Sequence, residues 1–355
     1  MLKNRRSRLK PFFEDNALDA LLFTNLVNIR YLCGFSGSEG ALLLTRDQAW
    51  FLCDSRYTTQ AAKEVCGAEI MEFSAKYEAV CSLITEKKLH RIGFESTHTV
   101  VADFRQLTER LAGCELVGIG ASLDTIRSCK EQTEIELLSG VAALASVSLQ
   151  AVLSALRPGV TESAFSLELE IEMRRRGADA RAFDFIVASG VRGAMPHGRA
   201  SDKILCQGDM VTIDFGAVKD GYYSDETVTV SLGRTSDRGR EIHAIVKEAH
   251  DRAIAAVRPG MRCRDLDEVA RGYIREQGYE DCFGHGLGHG VGLEIHEKPV
   301  VSPRSEILLE EGMVFTIEPG IYIPDFGGVR IEDTVVVSSD GCVVLTQAPK
   351  ELIEL

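Results

Sequence analysis

The sequence predicts two domains of different class, an α/β domain over residues 1–125 and an α+β domain over residues 126–355 built by internal duplication. Residues 1 to about 120 alternate short apolar strands with helical segments. Beyond them, Ala155-Leu-Arg-Pro-Gly-Val160 recurs as Ala256-Val-Arg-Pro-Gly-Met261, and the block Gly208–Asp214 is answered by Gly312–Glu318. The two separations are 101 and 104 residues, so matched blocks return in the same order at nearly the same distance. That is a duplication about a pseudo-twofold axis, with a period too long for a solenoid.

In the first domain the expected strands are Ala20–Phe23, Gly40–Leu44, Ala49–Cys53, Ile70–Phe73, Arg91–Phe94 and Glu115–Gly118, with a helix between Asp103 and Ala112. Asn28-Ile-Arg-Tyr31 and Asp54-Ser-Arg-Tyr57 are its distinctive polar spots, read either as turns holding Tyr31 and Tyr57 against the sheet or as the edge of a cleft. The composition turns polar from Asp124 to Lys130, and a long helical pattern follows to about Leu156. Each Arg-Pro-Gly block leads into an amphipathic helix, Glu162–Arg176 or Cys263–Gln277, stopped by Gly177 or Gly278.

The segment Gly284–Glu297, GHGLGHGVGLEIHE, holds three of the eight histidines, His285, His289 and His296. His285 and His289 are spaced as on a zinc-binding helix, yet five glycines at about 1 kcal/mol each make a helix untenable. An extended or looping segment with close backbone approach is expected instead.

Composition narrows the function classes. A net charge of -13 and a pI near 5.2 argue against binding nucleic acid through a global positive field. The N-terminus has basic residues but no apolar run behind them, so it does not read as a signal peptide, and the most apolar stretches fall short of the roughly 20 residues that span a bilayer. Ten cysteines without a C-x-x-C pair suit reduced thiols in the cytoplasm.

Strand alternation places Asp214 opposite Val211, Ile213 and Phe215, groups Asp225 with Thr227 and Thr229, and puts Arg330 on the face of Glu332. With Glu318 after the apolar run Val314–Ile317, pseudo-symmetry converges four carboxylates, Asp214, Asp225, Glu318 and Glu332. Each like-charge pair at about 4 Å costs on the order of 4 kcal/mol at an effective dielectric of 20, so protons or cations must compensate. Two divalent cations would do so and leave a neutral imidazole such as His289 free to ligate. The oxygen excess favours Mn(II), with Co(II), Fe(II) or Zn(II) also suited. Asp209, Asp220, Glu226 and Asp333 are expected to be turn or solvent residues. The Gly-x-Gly spacings lack the strand–loop–helix setting of a dinucleotide fingerprint.

These residues carry a resemblance. Asp214-Phe-Gly-Ala with Ser224-Asp225, His285-Gly-Leu-Gly-His289, Gly292-Leu-Glu-Ile-His-Glu297, Thr316-Ile-Glu-Pro-Gly320 and Val329-Arg-Ile-Glu-Asp333 resemble the M24-type metallopeptidases of the methionine aminopeptidase, aminopeptidase P and prolidase group, with their "pita-bread" catalytic fold. The match covers residues 127–355, and the N-terminal half resembles the creatinase/prolidase extra domain. The resemblance implies Asp214, Asp225, His289, Glu318 and Glu332 as ligands of two divalent ions, Asp225 and Glu332 bridging or bidentate, and Glu318 also as proton carrier. It implies His197 and His296 as residues that contact substrate and stabilise the tetrahedral intermediate, and His285 at the cleft wall. Thr227 and Arg330 would steady the carboxylates, with Arg330 also within reach of substrate. The family often has Thr-Arg-Thr where this chain has Thr227-Val228-Thr229, a change on the face turned away from the metals.

The expected activity is hydrolysis of Xaa-Pro bonds in short proline-containing peptides by a homodimer. Release of the residue before proline from longer peptides stands first, and a dipeptidase restricted to Xaa-Pro is its near rival. A metal-free creatinase-like hydrolase and a non-catalytic peptide-binding fold are weaker alternatives, because all five ligands are intact.

Overall fold

The computed structural model describes residues 2–355, which divide into two compact units, Met1–Arg127 and Ser128–Leu355. In the first, the strands β1 (Ala20–Phe23), β2 (Ala41–Leu44), β3 (Ala49–Asp54), β4 (Glu69–Phe73), β5 (Arg91–Glu95) and β6 (Glu115–Ile119) form one mixed sheet in the order β4-β3-β2-β1-β5-β6. All six coincide with the expected strands to within a residue at each end; the central runs such as Ala20–Phe23 are buried along their whole length, while the edge strands β4 and β6 are half-buried or exposed over most of theirs. The expected helix near Asp103 runs over Val101–Arg110.

Asn28 and Tyr31 correct the turn reading. They lie in the helix Leu26–Cys33, whose Asn25 cap accepts from Val27 N–H and whose end is Gly34 in the left-handed region. Asn28 Nδ2 donates to Glu95 at 2.7 Å, and the Tyr31 hydroxyl donates to the Ile126 carbonyl at 2.8 Å. Both side chains are fully buried within their own unit.

The second unit repeats one plan twice. The helices Gln132–Val152 and Glu162–Arg175 accompany β7 (Ala180–Arg181), β8 (Ile186–Ser189), β9 (Met210–Phe215), β10 (Ala217–Lys219), β11 (Tyr222–Tyr223) and β12 (Glu226–Ser231). The helices Asp237–Ala256 and Cys263–Glu276 accompany β13 (Gly288–Gly290), β14 (Glu297–Val301), β15 (Val314–Ile317), β16 (Gly320–Ile323), β17 (Gly327–Arg330), β18 (Asp333–Val337) and β19 (Cys342–Val344). The sheets include β12-β9-β8 in the first half and β14-β13-β15-β18-β19 in the second. Equivalent hydrogen bonds recur: Gly159 N–H donates to Leu205 and Gly260 to Leu309, and Leu205 N–H donates to Val160 while Leu309 donates to Met261. The glycines of the two blocks, Gly159 and Gly260, share φ of +92° and +82°, a conformation that favours glycine. The halves meet where Glu332 N–H donates to the Thr227 carbonyl at 3.1 Å.

Three expectations need correction. Glu226 and Asp333 are not solvent residues: they are buried and both contact the Lys350 ammonium, at 2.6 and 3.2 Å. Burying an ammonium and two carboxylates is tolerable only because each is paired. His296 sits in an exposed bend before β14 rather than on a strand. The helical stretch Gln132–Ala155 is long and apolar enough, by composition alone, to span a bilayer. Ser139, Ser146 and Ser148 interrupt its apolar runs, so no unbroken apolar stretch marks it in the sequence. Its residues Leu138, Val141, Ala145 and Leu149 are buried within the unit, as in a core helix.

The glycine-rich segment has the close backbone approach expected of it. A Cβ on Gly288 would lie 1.9 Å from the Thr316 carbonyl oxygen on β15, and one on Gly290 would lie 2.3 Å from the Lys298 oxygen. Gly288→Ala should therefore push β13 off β15 and destabilise the protein by about 1–3 kcal/mol or more, which urea unfolding of the variant would measure. A variant as stable as the parent would contradict this packing.

Candidate metal centre

Asp214 comes from β9, Asp225 from the residue before β12, Glu318 from the residue after β15, and Glu332 from the link between β17 and β18. Oxygens of Asp214, Asp225 and Glu332 lie within 4.8 Å of one another. Glu318 joins them through His289, whose Nε2 is 3.5 Å from both Asp225 Oδ2 and Glu318 Oε1. His289 Nδ1 lies 3.1 Å from the Gly290 carbonyl, so it carries the proton and leaves the Nε2 lone pair facing the acids. The five residues expected to ligate metal are thus gathered at one place.

The acids are supported from behind. Arg330 donates to Asp214 Oδ2 at 2.6 Å and, more weakly, to the Thr227 hydroxyl at 3.3 Å. Thr227 in turn donates to Glu332. Arg330 also donates to the Tyr322 hydroxyl at 2.9 Å and to the Pro196 carbonyl at 3.2 Å. The latter bond ties it to the turn that carries His197. His285 Nδ1 donates to the Gly286 carbonyl at 2.8 Å, so its Nε2 accepts from Tyr322, also at 2.8 Å. Tyr322 is the participant missed in the sequence; nothing in its local pattern distinguishes it from the alternating apolar residues of β16.

Electrostatics point to a missing positive charge. Burial pushes Asp225 and Glu332 well above the usual carboxylate range, and the neighbouring acids push further in the same direction. Burial raises Glu318 to about 8, with the Arg330 charge opposing and the Asp214 charge adding. Against burial, the Tyr322 hydroxyl oxygen and the Asp214 and Glu318 carboxyls keep Arg330 firmly protonated. Burial lowers His289, and lowers His285 to about 4, so both imidazoles are neutral near pH 7.

The residues fit divalent cations on two independent grounds. The donor set is four hard carboxylates and one neutral imidazole. Asp214 Oδ1 is buried without a hydrogen-bond partner among the described residues, although its other oxygen is bonded. An orphaned carboxylate oxygen in such a cluster is what a metal ligand looks like without its ion.

The cluster forms the floor of a cleft of about 540 Å³, within the range of small-molecule sites. His197, His285, His296 and Arg330 line it, with Phe183, Ile186, Ile295 and Val300 as apolar wall. His197 and His296 are exposed, and His296 packs edge-on to His289 with ring centroids 4.3 Å apart. Thr227 alone of the expected site residues does not face the cleft; it acts from beneath through Glu332 and Arg330.

Comparison with known proteins adds independent findings. The family described as "Metallopeptidase family M24" matches residues 136–339, and "Creatinase/Prolidase N-terminal domain" matches residues 5–129. An Xaa-Pro dipeptidase of Pyrococcus furiosus is 38% identical, over 99% of this chain and 100% of its own length. The solved structure of an Xaa-Pro dipeptidase from Bacillus anthracis superimposes with a TM-score of 0.98 at 41% identity, covering 100% of both chains. An X-Pro aminopeptidase from Thermotoga maritima MSB8 gives 0.90 at 37% identity, covering 96% of this chain and 99% of its own.

The raised Glu318 carboxyl has a consequence for the metal-free protein. A carboxyl whose folded pKa exceeds its unfolded value contributes stability below the unfolded value, and that contribution is lost as pH rises through the folded one. Between pH 6 and 8, the chelator-treated parent should therefore lose more stability than chelator-treated Glu318→Gln, as read by denaturant unfolding at each pH. Equal losses would show that Glu318 is not held protonated by the empty cluster.

Proposed function

Because the chain belongs to metallopeptidase family M24 and carries its creatinase/prolidase N-terminal domain, we propose that this metallo-exopeptidase hydrolyses Xaa-Pro dipeptides, with Asp214, Asp225, His289, Glu318 and Glu332 holding two divalent cations. The observation that carries the reading is the convergence of these acids on an oxygen of Asp214 left without a partner, at the floor of a cleft with apolar walls. Such ions, when bound, acidify a water and polarise a scissile carbonyl.

The residues of the chain do the rest. Glu318, ionised beside the cations it helps to hold, accepts the proton given up by the water and passes it toward the prolyl nitrogen. His197 and His296, at the open rim, donate hydrogen bonds to oxygen atoms on which negative charge develops. Tyr322, held between Arg330 and His285, keeps Arg330 directed at Asp214. Phe183, Ile186, Ile295 and Val300 offer an apolar surface to the pyrrolidine ring and displace water from the bond.

The aminopeptidase activity ranked first from the sequence yields here to the dipeptidase. The Pyrococcus furiosus and Bacillus anthracis relatives, both Xaa-Pro dipeptidases, match essentially the whole chain. The Thermotoga maritima X-Pro aminopeptidase, which matches nearly as much of the chain, keeps release from longer peptides as the second reading. Mn(II) as native metal is supported by the hard donor set. A cytoplasmic location is supported by ten cysteines in thiol form. A homodimer completes the proposal, and light scattering of the purified protein would check it.

Ala-Pro should be cleaved with a kcat/KM well above that for Ala-Pro-Xaa tripeptides; the reverse order would restore the aminopeptidase reading. Asp225→Ala and Glu332→Ala should each lose bound metal and hydrolysis together, measured by elemental analysis and Ala-Pro turnover. His296→Ala should keep its metal and lose kcat on the order of a hundredfold. Full metal content with normal turnover in Glu332→Ala would overturn the ligand assignment.

A further inference from the structure

The two residues that follow the proposed bridging ligands share one buried cation. Glu226 follows Asp225, and Asp333 follows Glu332. In strands, consecutive side chains point to opposite faces, so Glu226 and Asp333 turn away from the cleft while their neighbours turn into it. Lys350 Nζ stands between them, 2.6 Å from Glu226 Oε1 and 3.2 Å from Asp333 Oδ1. Its side chain is 7% exposed, and those of Glu226 and Asp333 are 0% and 9% exposed.

The rest of this pocket saturates the two carboxylates. Ser146 Oγ donates to Glu226 Oε2 at 2.5 Å, and Ala348 N–H donates to Oε1 at 2.8 Å. Thr346 Oγ1 donates to Asp333 Oδ1 at 2.5 Å, and His250 Nε2 lies 3.2 Å from Oδ2. Thr334 donates to the main-chain carbonyl of Asp225 itself, at 2.8 Å. The segment from Thr346 to Lys350 thus runs between the two duplicated halves at the back of the acid cluster.

We propose that Lys350 is a positioning residue of the metal centre: by joining Glu226 of one half to Asp333 of the other, it sets the spacing of Asp225 and Glu332 and so the affinity for the cations. The proposal rests on the ligand assignment above. When Asp225 and Glu332 ionise to take up cations they repel one another, which favours parting of the halves at this point. A cation on the opposite face of the same two strand ends opposes it without entering the cleft. On this back face Lys350 is the group that contacts both acids, while the His250 ring lies against Asp333. Groups that orient ligands from outside typically change metal affinity by about 10–100-fold when removed.

The test is Mn(II) binding by isothermal titration calorimetry, with Mn(II) alone as titrant, at a temperature where circular dichroism shows each variant folded. Lys350→Met should bind Mn(II) at least about tenfold more weakly than the parent. Removing one partner of a buried ion pair can prevent folding, so the triple variant Glu226→Gln, Asp333→Asn, Lys350→Met is included. It leaves no buried charge unpaired yet has lost the tie, and it should show the same weakened affinity. Parent-like affinity in either folded variant, while Asp225→Ala loses Mn(II) binding, overturns the role of Lys350 and leaves the ligand assignment intact. Retained Mn(II) binding in Asp225→Ala overturns the ligand assignment itself.

Discussion

Mutual repulsion among Asp214, Asp225, Glu318 and Glu332 is the constraint that shapes the second unit. Oxygens of Asp214, Asp225 and Glu332 lie within 4.8 Å of one another, Glu318 meets them through His289, and Arg330 donates to Asp214. In a medium of low dielectric such an arrangement cannot hold four negative charges by itself. Without ions, protons remain on Asp225, Glu332 and Glu318 well above their ordinary range. Divalent cations would replace those protons, which makes the same repulsion the source of metal affinity.

Everything around the cluster serves to keep acids close that would otherwise part. Arg330 reaches Asp214 on one side, Tyr322 on another, and the turn bearing His197 on a third. Thr227 ties Glu332 from beneath, at the seam where the duplicated halves touch. On the far face, Lys350 answers a second pair of acids. The strand ends at the seam therefore carry acids on both faces, with cations expected on one and an ammonium present on the other. His289 is held in the tautomer that presents a lone pair, because Gly290 supplies a carbonyl to its other nitrogen.

Local pattern explains which parts could be read before the fold was known. The central strands of the first unit, such as β1 and β2, were legible because short apolar runs buried on both faces have few alternative conformations. The glycine-rich segment was legible as extended because glycine disfavours a helix, and its narrow contacts with β15 and β14 explain why no larger residue stands there. The helix Leu26–Cys33 was not, since Asn28 and Tyr31 resemble turn residues until Glu95 and the Ile126 carbonyl are brought to them from distant strands and loops. Glu226 and Asp333 read as solvent residues because a lone acid is most often exposed; nothing near them in the chain reveals that Lys350 is their partner.

By itself, the sequence determined the two domain classes, the duplication and the four acids that converge, because periodicity and repetition are properties of the chain read along its length; the imidazoles that join them followed from the resemblance its motifs carry. Tertiary structure alone decided what each of those side chains faces. The contact of His285 with Tyr322, 37 positions away, the reach of Arg330 to Asp214, 116 positions away, and the ammonium of Lys350 against Glu226, 124 positions away, all depend on groups far apart along the chain. Hydrogen bonds and ion pairs act over a few ångströms, and only folding brings such groups within that range.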